Sequence, residues 1–383
     1  MKKSLLALGV LGAFAGAAHA QSSVTLYGII DAGLQYVSKT GGNLAGTGNT
    51  SKNFQFANGN LQGSRWGLKG AEDLGGGLKA IFVLENGFNL GSGTLGQNSR
   101  MFGRQAYVGL SSATAGTLTI GRQYDSVVDF VGPYASGSQW STFAGAHPFD
   151  NDNLNNSFRV NNTVKYTSVN YGGFSAGGMY GFSNSANNGS TGSGFANNRA
   201  YSFGAGYANG PVSFGAGYLY LGSPGSNSSG VINNSGDATT AMTAGGLSDK
   251  AWIASAGGSY AFGPATLGLV YGHSVYQYVG GGSWKFDNVE LNGKYMLTPA
   301  LQLGASYTYT WSSLQTAGNS VSPKYHQVNL GVDYFLSKRT DTYLVGLWQH
   351  ANNDAPGGAT LNGLGFSNST NQFAVTAGIR HKF

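Results

Sequence analysis

Apolar and polar side chains alternate, residue by residue, through much of this chain. Near the start, Leu26, Gly28, Ile30, Ala32 and Leu34 share one face, with Thr25, Tyr27, Asp31 and Gln35 opposite. Leu301, Leu303, Ala305, Tyr307 and Tyr309 likewise oppose Gln302, Gly304, Ser306 and Thr308. The last residues repeat the pattern, with Phe373, Val375, Ala377 and Ile379 against Thr376, Gly378, Arg380 and Lys382. A period of two is that of a β-strand with one oily and one wetted face. Turn chemistry separates such runs at Gly75-Gly76-Gly77, 113–116, 171–173, 209–211, 263–264, 298–299 and 337–340. Longer polar connections fall at about 39–60, 91–99, 123–157, 184–198, 222–248, 279–283, 313–323 and 351–369. Seven short turns and eight long loops join 16 strands, an even number with both termini on the short-turn side. The hexapeptide Ser-Phe-Gly-Ala-Gly-Tyr occurs at 202–207 and again at 213–218, on the two arms of one hairpin. Two strands meeting the same surroundings account for it better than a solenoid repeat does.

The beginning of the chain has another character. Lys2 and Lys3, an apolar run from Ser4 to Ala18 and the small-residue site Ala18-His19-Ala20 predict a signal peptide over 1–20. The barrel would then occupy 21–383. Elsewhere no run of 18 apolar residues could form a spanning helix. Only 9% of residues are charged while 13% are aromatic, too little charge for the outer surface of a soluble β-sandwich. Exported strands with one oily face predict an all-β fold, a 16-stranded antiparallel transmembrane β-barrel in the outer membrane of a Gram-negative bacterium. There is no cysteine, so neither disulfides nor thiolate-bound metal is expected. The formal charge of +6 falls to +4 without Lys2 and Lys3, and no basic cluster remains to suggest nucleic acid.

The third long loop stands apart. Loop 222–248 holds no aromatic residue, whereas 123–157 holds Phe130, Tyr134, Trp140, Phe143 and Phe149 interleaved with Asp125, Asp129, Asp150 and Asp152. So apolar a loop must pack against something, and the unfilled space of a 16-strand barrel is its lumen. A lid over the mouth is the other place for it. Strand parity puts Arg65 and Lys69 in the lumen opposite Trp66 and Leu68, Lys79 and Glu85 opposite Phe82 and Leu84, and Arg159 and Lys165 opposite Val160 and Val164. Arg104 is assigned inward too, which leaves Gln105 facing out; Arg122 ends the fifth strand where the loop begins. A guanidinium at the lipid midplane costs about 2–4 kcal/mol. Arginines on the wall facing loop carboxylates would set a transverse field across a narrow aqueous gap, filtering ions by sign. The expected activity is passive diffusion of ions and small hydrophilic solutes, with mild anion preference. Ion pairs that merely hold the loop are a compatible reading.

Five ordered motifs carry a resemblance: Ser-Ser-Val-Thr-Leu-Tyr-Gly-Ile-Ile-Asp-Ala-Gly-Leu-Gln-Tyr (22–36), Gly-Ser-Arg-Trp-Gly-Leu-Lys-Gly-Ala-Glu-Asp-Leu-Gly-Gly-Gly-Leu-Lys-Ala (63–80), Arg-Gln-Ala-Tyr-Val-Gly-Leu (104–110), Gly-Arg-Gln-Tyr-Asp (121–125) and Gly-Ile-Arg-His-Lys-Phe (378–383). Through them the mature chain resembles the Gram-negative general porins of β-proteobacterial type. The resemblance implies a homotrimer, an inward-folded third loop, and eyelet arginines at positions matching Arg65, Arg104 and Arg159, with a loop carboxylate matching Asp129. It also implies contact with outer-membrane lipid and lipopolysaccharide, and recognition of Phe383 by the barrel-assembly machinery. The Pro-Glu-Phe-Gly-Gly loop motif of many members is replaced by Gly-Pro-Tyr-Ala-Ser-Gly (132–137), which leaves open which loop acids face the arginines.

Other patterns promise less. Gly173-Phe-Ser175-Ala-Gly177 fits the hydrolase elbow but lies on a barrel hairpin, not a strand-to-helix turn. Asp150-Asn-Asp152 lacks the later glycine and glutamate of a Ca²⁺ loop, and the histidines have no metal-ligand spacing. No enzyme, cofactor or metal site is expected. His147 could titrate near pH 6–7 within the loop. A channel selective for anionic or sugar solutes is the alternative function.

Overall fold

The computed structural model describes residues 23–383 apart from 192, 234–236 and 317. The predicted leader lies outside the described residues. Among these, sixteen antiparallel strands close into a barrel. They are β1 (Ser23–Thr40), β2 in two arms (Ser51–Asn58 and Arg65–Gly75), β3 (Leu78–Gly87), β4 (Gln105–Ser112), β5 (Gly116–Gln123), β6 (Val160–Thr167), β7 (Phe174–Gly181) and β8 (Arg199–Asn209). The remainder are β9 (Val212–Gly222), β10 (Ser248–Phe262), β11 (Ala265–Tyr278), β12 (Ser283–Thr298), β13 (Leu301–Thr316), β14 in two pieces (Asn319–Val321 and Lys324–Phe335), β15 (Thr340–Ala351) and β16 (Asn371–Lys382). Each strand pairs with its sequence neighbour. The ring closes where β1 pairs β16 from Ile29↔Lys382 to Val37↔Ala374, and Phe383 exchanges two backbone hydrogen bonds with Gly28, each 3.1 Å.

Burial is inverted relative to a water-soluble fold. On β1, Val24, Leu26 and Leu34 are exposed while Asp31 and Gln35 are buried. On β13, Leu303, Tyr307 and Trp311 face out and Ser306, Thr308 and Thr310 face in. An exterior of aliphatic and aromatic side chains is stable only against lipid, where a closed ladder leaves no backbone group unpaired. At the expected tight turn, Gly75, Gly76 and Gly77 all take positive φ (84°, 59° and 79°), which other residues resist.

Two departures from the sequence reading stand out. Residues 51–58 form a strand inside the stretch expected to be loop, pairing Gln55 with Gln35 and Phe56 with Leu34. Phe54 and Phe56 alternate with Asn53 and Gln55, and polar flanks mask that period. The alternation also breaks toward the long-loop end, where Tyr276, Trp284, Phe286 and Tyr325 are wholly buried. There Phe149 and Phe366, from two long connections, seal them into an aromatic cluster, with the Phe149 and Trp284 ring centroids 5.1 Å apart.

Candidate functional site

The second strand is interrupted at 59–64, and Asp31 causes the interruption. Its Oδ1 accepts from Asn60 N (3.3 Å) and Tyr343 Oη (2.6 Å), its Oδ2 from Gln62 N (2.9 Å), and its backbone N–H donates to Ser64 Oγ (3.0 Å). A carboxylate in mid-strand needs donors, and the bulge supplies them. The bulge also lines a cavity of about 740 Å³, together with Arg65, Arg104, Arg159, Tyr124 and Asp129.

Glu85 on β3 organises the cation side of this cavity. Arg104 Nε donates to Glu85 Oε1 at 2.7 Å, Tyr27 Oη donates to Oε2 at 3.0 Å, and Arg65 Nη1 stands 4.0 Å away. Arg104 also donates to Tyr124 Oη (3.0 Å), and the Arg159 guanidinium lies over the Tyr124 ring, 5.6 Å from its centroid. Arg159 has no carboxylate partner among the ion pairs of the described residues. The parity of β4 puts Gln105 opposite the inward Glu85, so Gln105 does not face out as expected. Arg104 precedes the strand, on a bend that turns its side chain inward.

The other predicted site residues divide. Asp129 pairs with Lys165, which also donates to Tyr124 O at 2.8 Å. Burial raises the Asp129 carboxyl, and Lys165 opposes that shift. Asp125 caps the helix Ser126–Phe130, accepting from Val127 N (2.8 Å) and from Asn153 Nδ2 (2.8 Å). Its carboxyl is pushed up to about 6 by burial and by Asp129. Arg122 joins Arg100 on the carboxylate of Asp237, at 2.8 Å and 2.7 Å. Burial alone would raise Asp237, but Arg122 and Arg100 hold it below the usual range. Lys69 approaches the Tyr27 ring at 5.4 Å and does not line the cavity.

The stretch 126–151 meets strand after strand. Tyr134 Oη bonds Ser213 Oγ at 2.5 Å, Ser136 N and Oγ donate to Glu290 at 2.8 and 2.9 Å, and Asn151 Nδ2 donates to Asn288 Oδ1 at 3.3 Å. Gln327 donates to Gly145 O and Ala146 O at 3.0 and 3.1 Å. Trp140 lies against Gly304 and Gly331. His147 bridges Asp152 (2.6 Å) and Glu290 (3.3 Å). Burial works against its charge, but the two carboxylates win and hold its pKa well above the usual value, so the expected titration near pH 6–7 moves to the alkaline side. Sequence reasoning left Tyr124, Glu85 and the 59–63 bulge out of the site. Inward parity already marked Glu85; nothing local marked the other two.

Comparison with known proteins agrees with the barrel. A model of the Gram-negative porin family matches residues 7–378. An outer membrane porin protein of Bordetella pertussis is 35% identical and outer membrane porin protein 32 of Delftia acidovorans 33% identical, each over 100% of both chains. Among solved structures, an anion-selective porin from Comamonas acidovorans superposes with a TM-score of 0.70 at 26% identity, covering 95% of this chain and 100% of that one. An outer membrane protein of Vibrio cholerae shares the fold, with a TM-score of 0.64 at 16% identity over 96% of this chain and 100% of that one.

Proposed function

The chain belongs to the Gram-negative porin family, a multi-pass outer-membrane porin and not an enzyme, and from that premise we propose that it is a general diffusion channel with a constriction built by its third loop. The loop, about 123–157, lies within the barrel and narrows it. Arg65, Arg104 and Arg159 on the wall and Asp129 on the loop form the eyelet, while Arg122, Lys69 and Asp125 support it from outside the cavity. The convergence of these three arginines with loop residues on one cavity is the observation that supports this reading. Glu85 is shared between Arg104 and Arg65, and Asp129 is paired with Lys165, so cations outnumber carboxylates there. A water-filled gap with excess positive charge favours anions without binding them tightly. That sign agrees with the anion-selective porin from Comamonas acidovorans.

We assign the assembly as a homotrimer from the family resemblance, with lipid and lipopolysaccharide around it and Phe383 as the signal to the assembly machinery. The leader at 1–20 is proposed to be removed on export. Reversal potentials of the purified protein in a KCl gradient test the charge reading. A single-channel reversal potential favouring cations refutes the proposed anion preference. Liposome swelling separates the general channel from a selective one: passage graded by solute size without saturation is expected, and saturable uptake of one sugar or anion contradicts it.

A further inference from the structure

The repeated hexapeptide has a counterpart in the packing of the third loop. The arms at 202–207 and 213–218 run antiparallel, and their pairing sets Gly204 opposite Gly217 and Gly206 opposite Gly215. The phenylalanines and tyrosines between them point away and pair across the hairpin, Phe203 with Tyr218 at 5.2 Å and Tyr207 with Phe214 at 5.6 Å. The other face is therefore bare backbone, two glycines by two. On that patch sits the helix Ser126–Phe130. A methyl group on Gly204 would stand 2.6 Å from the Phe130 ring, and one on Gly206 3.3 Å from it. On Gly217 it would stand 2.9 Å from Val127 Cα, and on Gly215 it would collide with the Phe130 carbonyl oxygen. The serines that open each copy hold the two ends. Ser202 Oγ accepts from Ser126 N at 3.1 Å, and Ser213 Oγ bonds Tyr134 Oη at 2.5 Å.

Chain direction explains why a repeat suits this task. In an antiparallel hairpin, identical segments place identical side chains in a twofold-related arrangement. Duplicating Ser-x-Gly-x-Gly-x thus leaves two polar clamps at opposite corners of a glycine floor. Helix residues 126–130 lie on the floor and Tyr134 reaches the far clamp. Asp129 immediately precedes Phe130, so the seat of Phe130 determines where that carboxylate meets Lys165 and the cavity.

We infer that Gly204, Gly206, Gly215 and Gly217, with Ser202 and Ser213, are positioning residues that set the bore of the channel by fixing the height of the third loop above the wall. This rests on the reading that the loop narrows the pore. The test compares three variants of the full chain in planar bilayers and in liposome swelling: Gly204→Leu with Gly217→Leu, Phe130→Ala, and deletion of 126–157. Gly346→Leu serves as control, since a side chain there meets nothing within 4 Å. Heat-modifiable migration on gels selects folded barrels before measurement. The expected result is conductance shifts of opposite sense, with the control unchanged. The leucine pair lifts the helix off the glycine floor toward the cavity and narrows the channel, whereas Phe130→Ala loosens the seat and moves conductance part of the way to the loop-deleted channel, with larger sugars admitted. Phe130→Ala leaves the wall untouched, so it keeps the inference testable if the leucine pair does not fold. Loop deletion that widens the channel while both seat variants conduct as wild type overturns the inference alone. Loop deletion without change in conductance overturns the underlying reading.

Discussion

Arg159→Gln isolates the electrostatic claim, because Arg159 has no carboxylate to leave stranded and its removal disturbs no ion pair of the described residues. The magnitude follows from the cavity. A sphere of 740 Å³ has a radius of about 5.6 Å, so a permeating ion at its centre lies about that far from a lining charge. In water that distance corresponds to about 0.7 kcal/mol per pair of unit charges. Removing one cation penalises anions and relieves cations by similar amounts, so their permeability ratio falls roughly 12-fold without screening. A Debye length of about 10 Å at 0.1 M salt reduces the change to about fourfold, and one of about 3 Å at 1 M to about 1.5-fold. The assay is the reversal potential across a planar bilayer under a fixed KCl gradient at both ionic strengths. Arg159→Lys keeps the charge and should keep the ratio. An unchanged potential at 0.1 M in Arg159→Gln, or a shift as large at 1 M as at 0.1 M, refutes the reasoning.

Further outcomes follow from the loop and the seam. His147 binds its proton more tightly folded than unfolded, so its contribution is present in full below about pH 6.5 and is lost as pH rises through its raised value. Conductance noise should therefore grow on the alkaline side, and His147→Gln should flatten that dependence. Asp150, pushed up to about 6 by burial and by Asp152, acts in the same direction: stability should fall as pH rises from about 4 to 6, and Asp150→Asn should weaken that slope in thermal unfolding. Trp140→Ala empties the space over Gly304 and Gly331 at a cost of about 3–5 kcal/mol, which should expose the third loop to protease while the barrel stays closed. Deleting Phe383 removes both hydrogen bonds to Gly28 and should slow appearance of the heat-modifiable form during refolding.

The parts of this molecule written in local chemistry were open to reading from the sequence. Turns at Gly75-Gly76-Gly77 and Asn209-Gly210-Pro211 announce themselves, and Arg65 and Lys165 follow from parity within their own strands. Parity failed at Arg104 because the side chain belongs to a bend just before its strand, where alternation no longer governs direction. At Trp284 and Phe286 parity holds, since they share the inward face with Asn288 and Glu290, but the apolar side chains break the oil-outside rule: packing against Phe149, far along the chain, makes an inward aromatic position favourable. Residues 51–58 were hidden by Ser, Lys and Asn, whose polarity speaks for a loop until β1 provides a partner. Asp125 was visible as a charge, but its role as a helix cap depends on a helix of five residues, too short for any periodicity to reveal.

The joint between β1 and β16 also dictates an order of events. Gln35 donates to Thr376 at 2.9 Å across 341 positions of sequence, so the first strand to leave the ribosome waits for the last. Until Lys382 meets Ile29, every partial sheet carries two raw margins able to stitch onto any other chain. A shortened polypeptide of this kind is no smaller pore; it is an open ribbon with both borders bare.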